Sequence, residues 1–582
     1  MASNPKQPLS NYFDRDIVKG NRSNFNVGYK NRFSMDFGYL IPAGLWDIPA
    51  DSHFECDLHS VISSNPTLAP VLGKMKFRAE AYFVEKAAYV QRLRNNDKVP
   101  IDRNVPFPTF SVQSNVRSYS AKGSITDFLQ MYPAGWSSSF INGSDIADAT
   151  PKLNAIPFIM YYDIYRNYYC NPQDDNIPIR DLGYSQPKEG PDGFEYFPIR
   201  DVFVTRADLD DFVSNSRDSQ QVDNVFNRYL GLYPFSHRAV DSTELVVTPL
   251  QHAIGSHHGL MRRTLNNDFF TSFVSNDNVA LMRKYSTLYT QQDQNGHAIQ
   301  MEQIVMANRN WRLATRSLLW GTDWKDFNKV HYGVDLLIPY GKPQFLGAIS
   351  SDVIFNDVIS QAQTGDNSGE NAVDVTSNKN LGSRSGLAFG ALKNDKKFIE
   401  FNTKDEGYVM VLLSIVPEVD YFQGIDPMYF KTNLQHSWMQ EYNSIGMQDF
   451  HQSWACAVPS SEQTGPTGWP SLNGALWKVP MWFEYMAKYN QLHADFTADF
   501  LNRYWVFSRP FEDLRTLFGN GVFNDPTDQD LQGYDINYST YVLPEMYNYI
   551  FANVAGQDNF QVQVRFDARL NCMLDKQVIS YL

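Results

Sequence analysis

The sequence predicts a mainly β protein whose core is an antiparallel double sheet of the jelly-roll kind, and three observations support this fold class. Segments with the two-residue period of half-buried strands lie near both ends of the chain. In the middle, residues 408–416 are apolar except for Ser414 and stand between Gly407 and Pro417, which is typical of a strand buried on both faces. We expect this strand in the middle of the core. Long stretches separate the strands without a strand–helix rhythm, which favours Greek-key connections over a parallel sheet.

Half-buried strands are predicted near the start of the chain at residues 29–39, 53–62 and 74–84. In the third, every second residue from Met75 to Phe83 is apolar, and charged residues dominate the positions between them. Such strands close together in sequence favour an antiparallel sheet with one face in contact with water. The longest alternation closes the chain at 560–572, and shorter strands are predicted at 330–338, 353–355 and 397–401.

Two helices are predicted. Phe158, Tyr162, Tyr165 and Tyr169 recur at the spacing of one helical stripe, and the helix is expected to end before Asn171, which precedes a proline. Residues 363–385 are polar and are interpreted as a loop. The second helix is predicted at about 302–319, with an apolar face made of Ile304, Ala307, Trp311, Ala314 and Leu318.

The chain is interpreted as one core with long insertions, because no linker rich in Ser, Gly or Pro divides its 582 residues. Residues 1–28 form a predicted basic N-terminal arm; the first 32 residues contain six basic and two acidic residues, a net charge of +4. Residues 29–170, with the first helix, and residues 257–582, with long loops, make up the two parts of the core. Between them, residues 171–256 are interpreted as a surface insertion, because they are acidic and rich in turn residues.

Five segments of the chain follow one another in an order that resembles a family of viral proteins. They are the basic arm with the first strand, YYDIYRNYYCNPQ, RRTLNNDFFTSF, HYGVDLLIPYGKPQFLG and EGYVMVLLSIVPEVDYFQGID. In this order they resemble the major capsid proteins of the small single-stranded-DNA bacteriophages, the microvirus group, in the branch that carries a large surface insertion. The resemblance covers most of the chain and is weakest at 171–256 and 454–520.

The resemblance implies an eight-stranded antiparallel jelly roll of the viral capsid type with long loop and helical insertions. It implies a structural protein of the virion, assembled in the host cytoplasm, rather than an enzyme, and it implies no cofactor. Such proteins assemble through pentamers into a sixty-subunit T=1 icosahedral shell around circular single-stranded DNA, and the insertion at 171–256 would form a protrusion involved in host attachment. The implied partners are other copies of the chain, the packaged DNA, a small basic phage DNA-binding protein, other phage structural proteins and a host surface receptor.

Packaged DNA requires positive countercharge, which a chain of net charge −14 does not supply as a whole. The basic arm and the first strand are the exception. We therefore expect Arg22, Lys30 and Arg32 to face the DNA, with the small basic phage protein providing most of the neutralisation. The alternative interpretation is ordinary solvated charge in an N-terminal arm.

One cluster in the sequence resembles a metal site. His53, Glu55, Asp57 and His59 alternate along a predicted strand, so their side chains share one face. A solvated strand face explains the same pattern, and the four cysteines lie far apart without a Cys-x-x-Cys pair, so no metal site is predicted. The sequence contains no P-loop, Gly-x-Ser-x-Gly or His-Glu-x-x-His motif, and no catalytic residue is assigned. The pair at 257–258, two histidines between glycines, is interpreted as a loop return.

An alternative function is a β-sandwich protein that binds carbohydrate or hydrolyses glycosidic bonds. Paired carboxylates for hydrolysis are available at Asp210 with Asp211 and at Glu418 with Asp420. Packing under long loops or between subunits is the other interpretation of the tryptophans that would stack on sugars. These tryptophans are Trp454, Trp469, Trp477 and Trp482.

Overall fold

The computed structural model of the chain describes most of the predicted core. The described ranges are 22–68, 71–90, 152–169, 257–272, 342–360, 384–393, 397–442, 446–455, 475–498, 503–509 and 558–574. Shorter described pieces lie within 107–130, 177–204, 274–333 and 541–551. The structure is mainly β with antiparallel sheets, as the sequence predicts.

Within the described part of the chain, ten strands pair into the principal sheet. In chain order they are β1 (Ser23–Asn26), β2 (Tyr29–Met35), β3 (Ile41–Ile48), β4 (Ser52–Ser64), β5 (Lys74–Glu85), β6 (Gln344–Ser360), β7 (Arg384–Lys393), β8 (Ile399–Thr403), β9 (Gly407–Pro417) and β10 (Phe560–Cys572). The predicted strands at 29–39, 53–62, 74–84, 353–355, 397–401, 408–416 and 560–572 all overlap members of this set.

Two groups of four strands can be traced within the principal sheet. In the first group β2 pairs with β10, β10 with β4, and β4 with β8. In the second group β3 pairs with β9, β9 with β5, and β5 with β6. The hairpin of β6 and β7 joins the groups, because β7 pairs with both β6 and β4. All of these pairs are antiparallel, so neighbouring strands run in opposite directions throughout.

The apolar side chains of both groups meet in one core. β4, β5 and β10 alternate between buried and more exposed residues along most of their length, as predicted. Trp46 of β3 packs edge-on against Phe566 of β10, with 5.0 Å between the ring centroids, and also contacts Phe54 of β4. Tyr29 Oη of β2 accepts a hydrogen bond from the Leu45 N–H of β3 at 3.0 Å. A side chain therefore satisfies a backbone group that an edge strand would otherwise leave open for another chain.

The sequence predicts the burial of β9 correctly but not its place in the pairing order of the sheet. All eleven of its residues, Gly407 to Pro417, are buried, which confirms a strand covered on both faces. It lies between β5 and β3, however, and so is one strand from the end of the pairing order rather than in its middle. Its polar residue Ser414 accepts a hydrogen bond from Arg263 Nη1 at 3.0 Å, which explains how a hydroxyl is tolerated there.

The first predicted helix is confirmed as α1 (Ile156–Tyr168). Its burial differs from the single predicted stripe, because every residue from Ile156 to Tyr165 except Pro157 is buried. Tyr161 Oη donates to the Leu40 carbonyl at 2.8 Å and accepts from the Met261 N–H at 2.9 Å. The helix is therefore enclosed between the strand region and the segment 257–272, and a stripe pattern underestimates its contacts.

Two predictions between residues 302 and 338 concern a region that the structure describes only in part. The described residues between 305 and 316 are helical and mostly exposed, whereas the predicted apolar face of that helix lies outside the described residues. The strand predicted at 330–338 is wrong at its start, because Val330 and Tyr332 are helical. Gly333 then has φ +69°, and its N–H donates to the Lys329 carbonyl at 3.1 Å, which is the geometry of a helix end.

Other strands have no pattern that predicts them. β3 contains a proline and a glycine, and seven of its eight residues are not exposed, so it shows no alternation. β1 lies inside the predicted arm 1–28, of which residues 1–21 are outside the described residues. β7 begins within the predicted loop 363–385, whose other residues are likewise not described. Of the insertion 171–256, the structure describes only short strand pieces.

The remaining elements are short. The strands are Thr109–Ser111, Lys152–Asn154, Ile177–Asp181, Lys188–Glu189, Glu195–Tyr196, Val202–Val204, His257–Met261, Val274–Ser275, Met447–His451 and Ala475–Pro480. The helices are Ile125–Phe128, Gln452–Ala455, Phe483–Met486 and Asp495–Ala498, with 3₁₀ turns at Lys86–Ala88, Pro427–Phe430, Leu434–His436, Gln440–Tyr442, Arg503–Trp505 and Asn548–Ile550. Among the described residues, no helix is long and apolar enough to cross a membrane.

Candidate functional site

The first group of strands presents one face to the core and one polar face to solvent, which we call the polar sheet face. It consists of the outward residues of β2, β10, β4 and β8. Strand alternation produces this face, because the residues between the buried positions of β4 and β10 are half-buried or exposed. Two of the three predicted DNA-facing residues, Lys30 and Arg32, lie on β2 at its margin.

A row of basic residues runs across the polar sheet face. The register pairs Lys30 of β2 with Arg565 of β10, and Arg565 with His59 of β4. Directly opposed residues share a face, and like charges in such positions repel. The row is therefore not explained by sheet stability alone.

The charges of this row are only partly balanced. Arg565 Nε donates to Asp567 Oδ1 at 2.8 Å, and His59 Nε2 lies 3.5 Å from Asp567 Oδ2. Arg32 Nε donates to the neutral side chain of Gln563 at 2.9 Å. Among the described residues, no carboxylate lies within ion-pair distance of Lys30. The β2 margin of the polar sheet face is thus its most positive part.

Arg22, the third predicted DNA-facing residue, is separate from the other two. Its guanidinium lies 2.5 Å from Asp51 in an exposed ion pair. The neighbouring Ser23 pairs with Cys572, whereas Lys30 pairs with Arg565. At about 3.3 Å per residue, these positions are roughly 23 Å apart along β10. The structure therefore brings Lys30 and Arg32 together but not Arg22.

The metal-like cluster of the sequence lies near the other end of the polar sheet face. His53, Glu55 and Glu400 each place one ligand atom within 4.8 Å of the others. Lys397 Nζ, however, lies 2.6 Å from Glu55 and 3.3 Å from Glu400, and Arg569 lies 3.4 Å from Glu55. The hydrogen bond from Lys397 lowers the pKa of the Glu55 carboxyl. Ammonium and guanidinium groups therefore already neutralise the carboxylates that a cation would need.

Asp57 and His59, the other two residues of that sequence cluster, are placed differently. Asp57 stands opposite Asp567 in the register, and His59 approaches Asp567 rather than His53. The four residues are thus spread along β4 and do not converge on one point. This arrangement agrees with the interpretation of a solvated strand face.

The structure describes the side chains of two of the four tryptophans proposed as a sugar platform, and neither of these two is exposed. Trp454 and Trp482 are buried, and Trp454 packs edge-on against Phe450 with ring centroids 5.2 Å apart. Trp477 belongs to the strand Ala475–Pro480, and Trp469 lies outside the described residues. The packing interpretation of these residues is supported for the two whose side chains are described.

The structure describes one of the two carboxylate pairs, and it also describes the histidine pair. Burial, and then the charge of Glu418, raise the pKa of Asp420 to about 6, which is a property that general acids share. The other pair, Asp210 and Asp211, lies outside the described residues. The histidine pair at 257–258 lies in the strand His257–Met261 and not in a loop return, because that strand pairs with Ile177–Asp181.

One buried ion pair is a feature that no motif in the sequence indicates. Arg263 donates from both terminal nitrogens to the Glu80 carboxylate at 2.9 Å, and Tyr169 Oη also donates to that carboxylate. Tyr82 Oη in turn donates to Tyr169 Oη at 2.9 Å. The network ties β5 to the end of α1 and to the segment 257–272. The alternating charge at Glu80 predicts only a solvated residue, so the sequence offers no signal for it.

The comparisons with known proteins do not identify a relative. Neither a protein-family model nor a curated protein matches the sequence. The features that bear on function are therefore the strand order, the polar sheet face and the resemblance of the sequence segments.

Proposed function

We propose that the chain is the major capsid protein of a small single-stranded-DNA bacteriophage and that its core is an eight-stranded jelly roll. The pairing order of the strands is the observation that carries the proposal. Without β1 and β7, the strands can be numbered 1 to 8 along the chain; they are then β2, β3, β4, β5, β6, β8, β9 and β10. In these numbers the pairing order is 1–8–3–6 in the first group and 2–7–4–5 in the second group. Two interleaved Greek keys require this order, and jelly rolls of this kind are common in viral capsids.

Because a fold by itself does not establish a function, the capsid role draws on the resemblance as well. The proposed assembly is a sixty-subunit T=1 shell built through pentamers, in which symmetry lets one set of contacts serve every copy. The insertion at 171–256 would project from the shell and contact the host surface receptor. Other phage structural proteins would complete the virion.

The proposed DNA-facing surface is the β2 margin of the polar sheet face. Lys30 and Arg32 lie beside Arg565 there, with fewer acidic neighbours than the Glu55 end of the face. A phosphate backbone would relieve the repulsion within the basic row, since each phosphate neutralises a cation. Arg22 would contribute less, because Asp51 already neutralises it. A small basic phage protein would supply most of the remaining countercharge.

Electron microscopy with size-exclusion chromatography tests the proposed function. The chain is expressed alone and together with a basic peptide and circular single-stranded DNA. We expect pentamers or uniform icosahedral shells. A chain that remains monomeric under both conditions would contradict the capsid role, and sugar binding on a glycan array by that monomer would favour the carbohydrate alternative.

The double variant Lys30→Gln/Arg32→Gln is expected to bind single-stranded DNA more weakly than the wild type. If each side chain contacts one phosphate, the slope of log K against log salt should fall in magnitude by about 1.4. The measurement is fluorescence anisotropy of a labelled oligothymidylate titrated at several salt concentrations. A matched control is Lys74→Gln/Lys404→Gln, which removes the same charge from two other exposed sites. Equal slopes for the two variants would show that the β2 margin does not bind the phosphates.

A further inference from the structure

An unusually exposed set of apolar residues lies on the turns that follow β9 and on the short helix Phe483–Met486. We call it the apolar surface. Its most exposed members are Leu434 at 78%, Tyr429 at 70% and Met486 at 68%. The full set is Ile425, Met428, Tyr429, Phe430, Leu434, Trp438, Tyr485 and Met486.

Hydrogen bonds and cation contacts join the two segments of this surface. The Trp438 N–H donates to Tyr485 Oη at 3.5 Å, and Lys431 Nζ lies 3.5 Å from the centre of the Tyr485 ring. The turn before them is also held, because Asp426 Oδ1 accepts from the Met428 N–H at 3.0 Å. The residues around 425–438 and 485–486 therefore form one preorganised surface rather than two isolated patches.

The size of the apolar surface exceeds what a single subunit usually exposes. At about 200 Å² for each large residue, the exposed parts of the eight residues, with their backbone and hydroxyl atoms included, amount to roughly 900 Å². The largest apolar patch on a typical monomer is about 300–600 Å². A stable protein–protein interface buries about 800 Å² on each partner. The apolar surface is thus large enough for one complete side of an interface.

The charges around the apolar surface identify the kind of partner. Lys431 pairs with Glu484 at 3.0 Å, and Lys488 pairs with Asp426 at 2.9 Å. These ion pairs neutralise the two lysines within the subunit, so neither lysine offers its full charge to a nucleic acid or to an acidic protein. What remains is an apolar centre with Trp, Tyr and Met, the composition of the buried centre of subunit interfaces.

We propose that the apolar surface is a contact between two copies of this chain. The inference rests on the proposed function, because a closed shell made from one protein is held together by contacts between its copies, and it assigns one of these contacts to named residues. Burial of the eight side chains by a second copy would supply the hydrophobic contribution to assembly, while the internally paired charges form the rim.

The test uses the double variant Leu434→Glu/Met486→Glu. Both side chains are more than two-thirds exposed, so the subunit is expected to fold with an unchanged thermal midpoint. A matched control is Leu72→Glu, which places a charge at a residue that is 64% exposed and outside the apolar surface. Sedimentation velocity over a range of protein concentrations measures self-association, and electron microscopy reports closed shells.

We expect the double variant to weaken self-association at least tenfold and the control to associate like the wild type. Equal association of the double variant and the wild type would overturn the inference, and if both formed shells the proposed function would still stand. Wild type that associates through these residues but forms neither pentamers nor shells would support the inference and contradict the capsid role. A wild-type monomer that binds neutral lipid vesicles, with binding lost in the double variant, would assign the surface to a membrane and overturn the inference.

Discussion

Replacement of Arg263 by Leu is expected to destabilise the unassembled chain by about 3–5 kcal/mol, because it leaves the Glu80 carboxylate in a buried site without its cation. In the wild type, the side chains of Arg263 and Glu80 are only 9% and 13% exposed. Leucine fills much of the volume but cannot donate a hydrogen bond. The free energy of unfolding in urea is the measurement.

The effect of Arg263→Leu should depend on pH in a defined direction. Burial by itself would raise the pKa of Glu80, but the hydrogen bonds and charge of Arg263, with smaller contributions from Tyr169 and Arg78, hold the pKa below its ordinary value of 4.5. A carboxyl with a lowered pKa in the folded state contributes stability above pH 4.5, and this contribution is lost as the pH falls through the folded-state pKa. In the variant, burial without the cation raises the pKa, so protonation stabilises the folded state. The difference between wild type and variant should therefore be largest at neutral pH and should narrow as the pH falls, first through the raised pKa of the variant and then through the lowered pKa of the wild type.

A matched control for this prediction is Arg22→Gln. Arg22 also pairs with a carboxylate, but the two side chains are 44% and 58% exposed. Exposed ion pairs contribute about 0–1 kcal/mol, so the control should unfold at nearly the wild-type urea concentration. If Arg263→Leu unfolded at the same urea concentration as this control, the buried pair would not stabilise the fold. Its role would then lie in conformational specificity, that is, in favouring one fold over alternative packings.

Truncation of Leu413 to Ala is expected to lower the free energy of unfolding by about 2–5 kcal/mol, the range found when a buried leucine is truncated and leaves a cavity. Leu413 is fully buried on β9, and the strand is covered on both faces by other parts of the core. Paired strands on both edges of β9 also prevent the backbone from moving into the space. Urea unfolding of the unassembled chain measures the loss.

The control for the Leu413 prediction is the same chemical change at an exposed site. Leu72 is 64% exposed, so Leu72→Ala should change the free energy of unfolding by no more than about 0.5 kcal/mol. A small effect of Leu413→Ala would mean that the core around β9 closes over the missing methyl groups. That result would contradict the close packing on both faces of the strand.

The sequence by itself determined the strands that have a regular pattern. Apolar and polar residues alternate in β4, β5 and β10 because only one face of each strand is buried. In β9 they do not alternate, because both faces are buried. The order of the residues therefore indicates which faces of these strands are covered. Lys30 and Arg32 could be selected as candidates for the same reason, since their position on an alternating strand predicts exposure. β3 could not be predicted, because it is buried through contacts with distant residues such as Phe566.

Only the tertiary structure decided which of these residues act together. The pairing of β2 with β10 joins Lys30 to Arg565 across more than five hundred residues of sequence, and separates both from Arg22. The same kind of distant contact turns Glu80, which looks like a solvated residue on a strand, into the buried partner of Arg263. Periodicity reports which face of an element is covered, because that depends on local geometry. It does not report which element covers it, because pairing between strands depends on the closure of long loops and on the packing of the whole core.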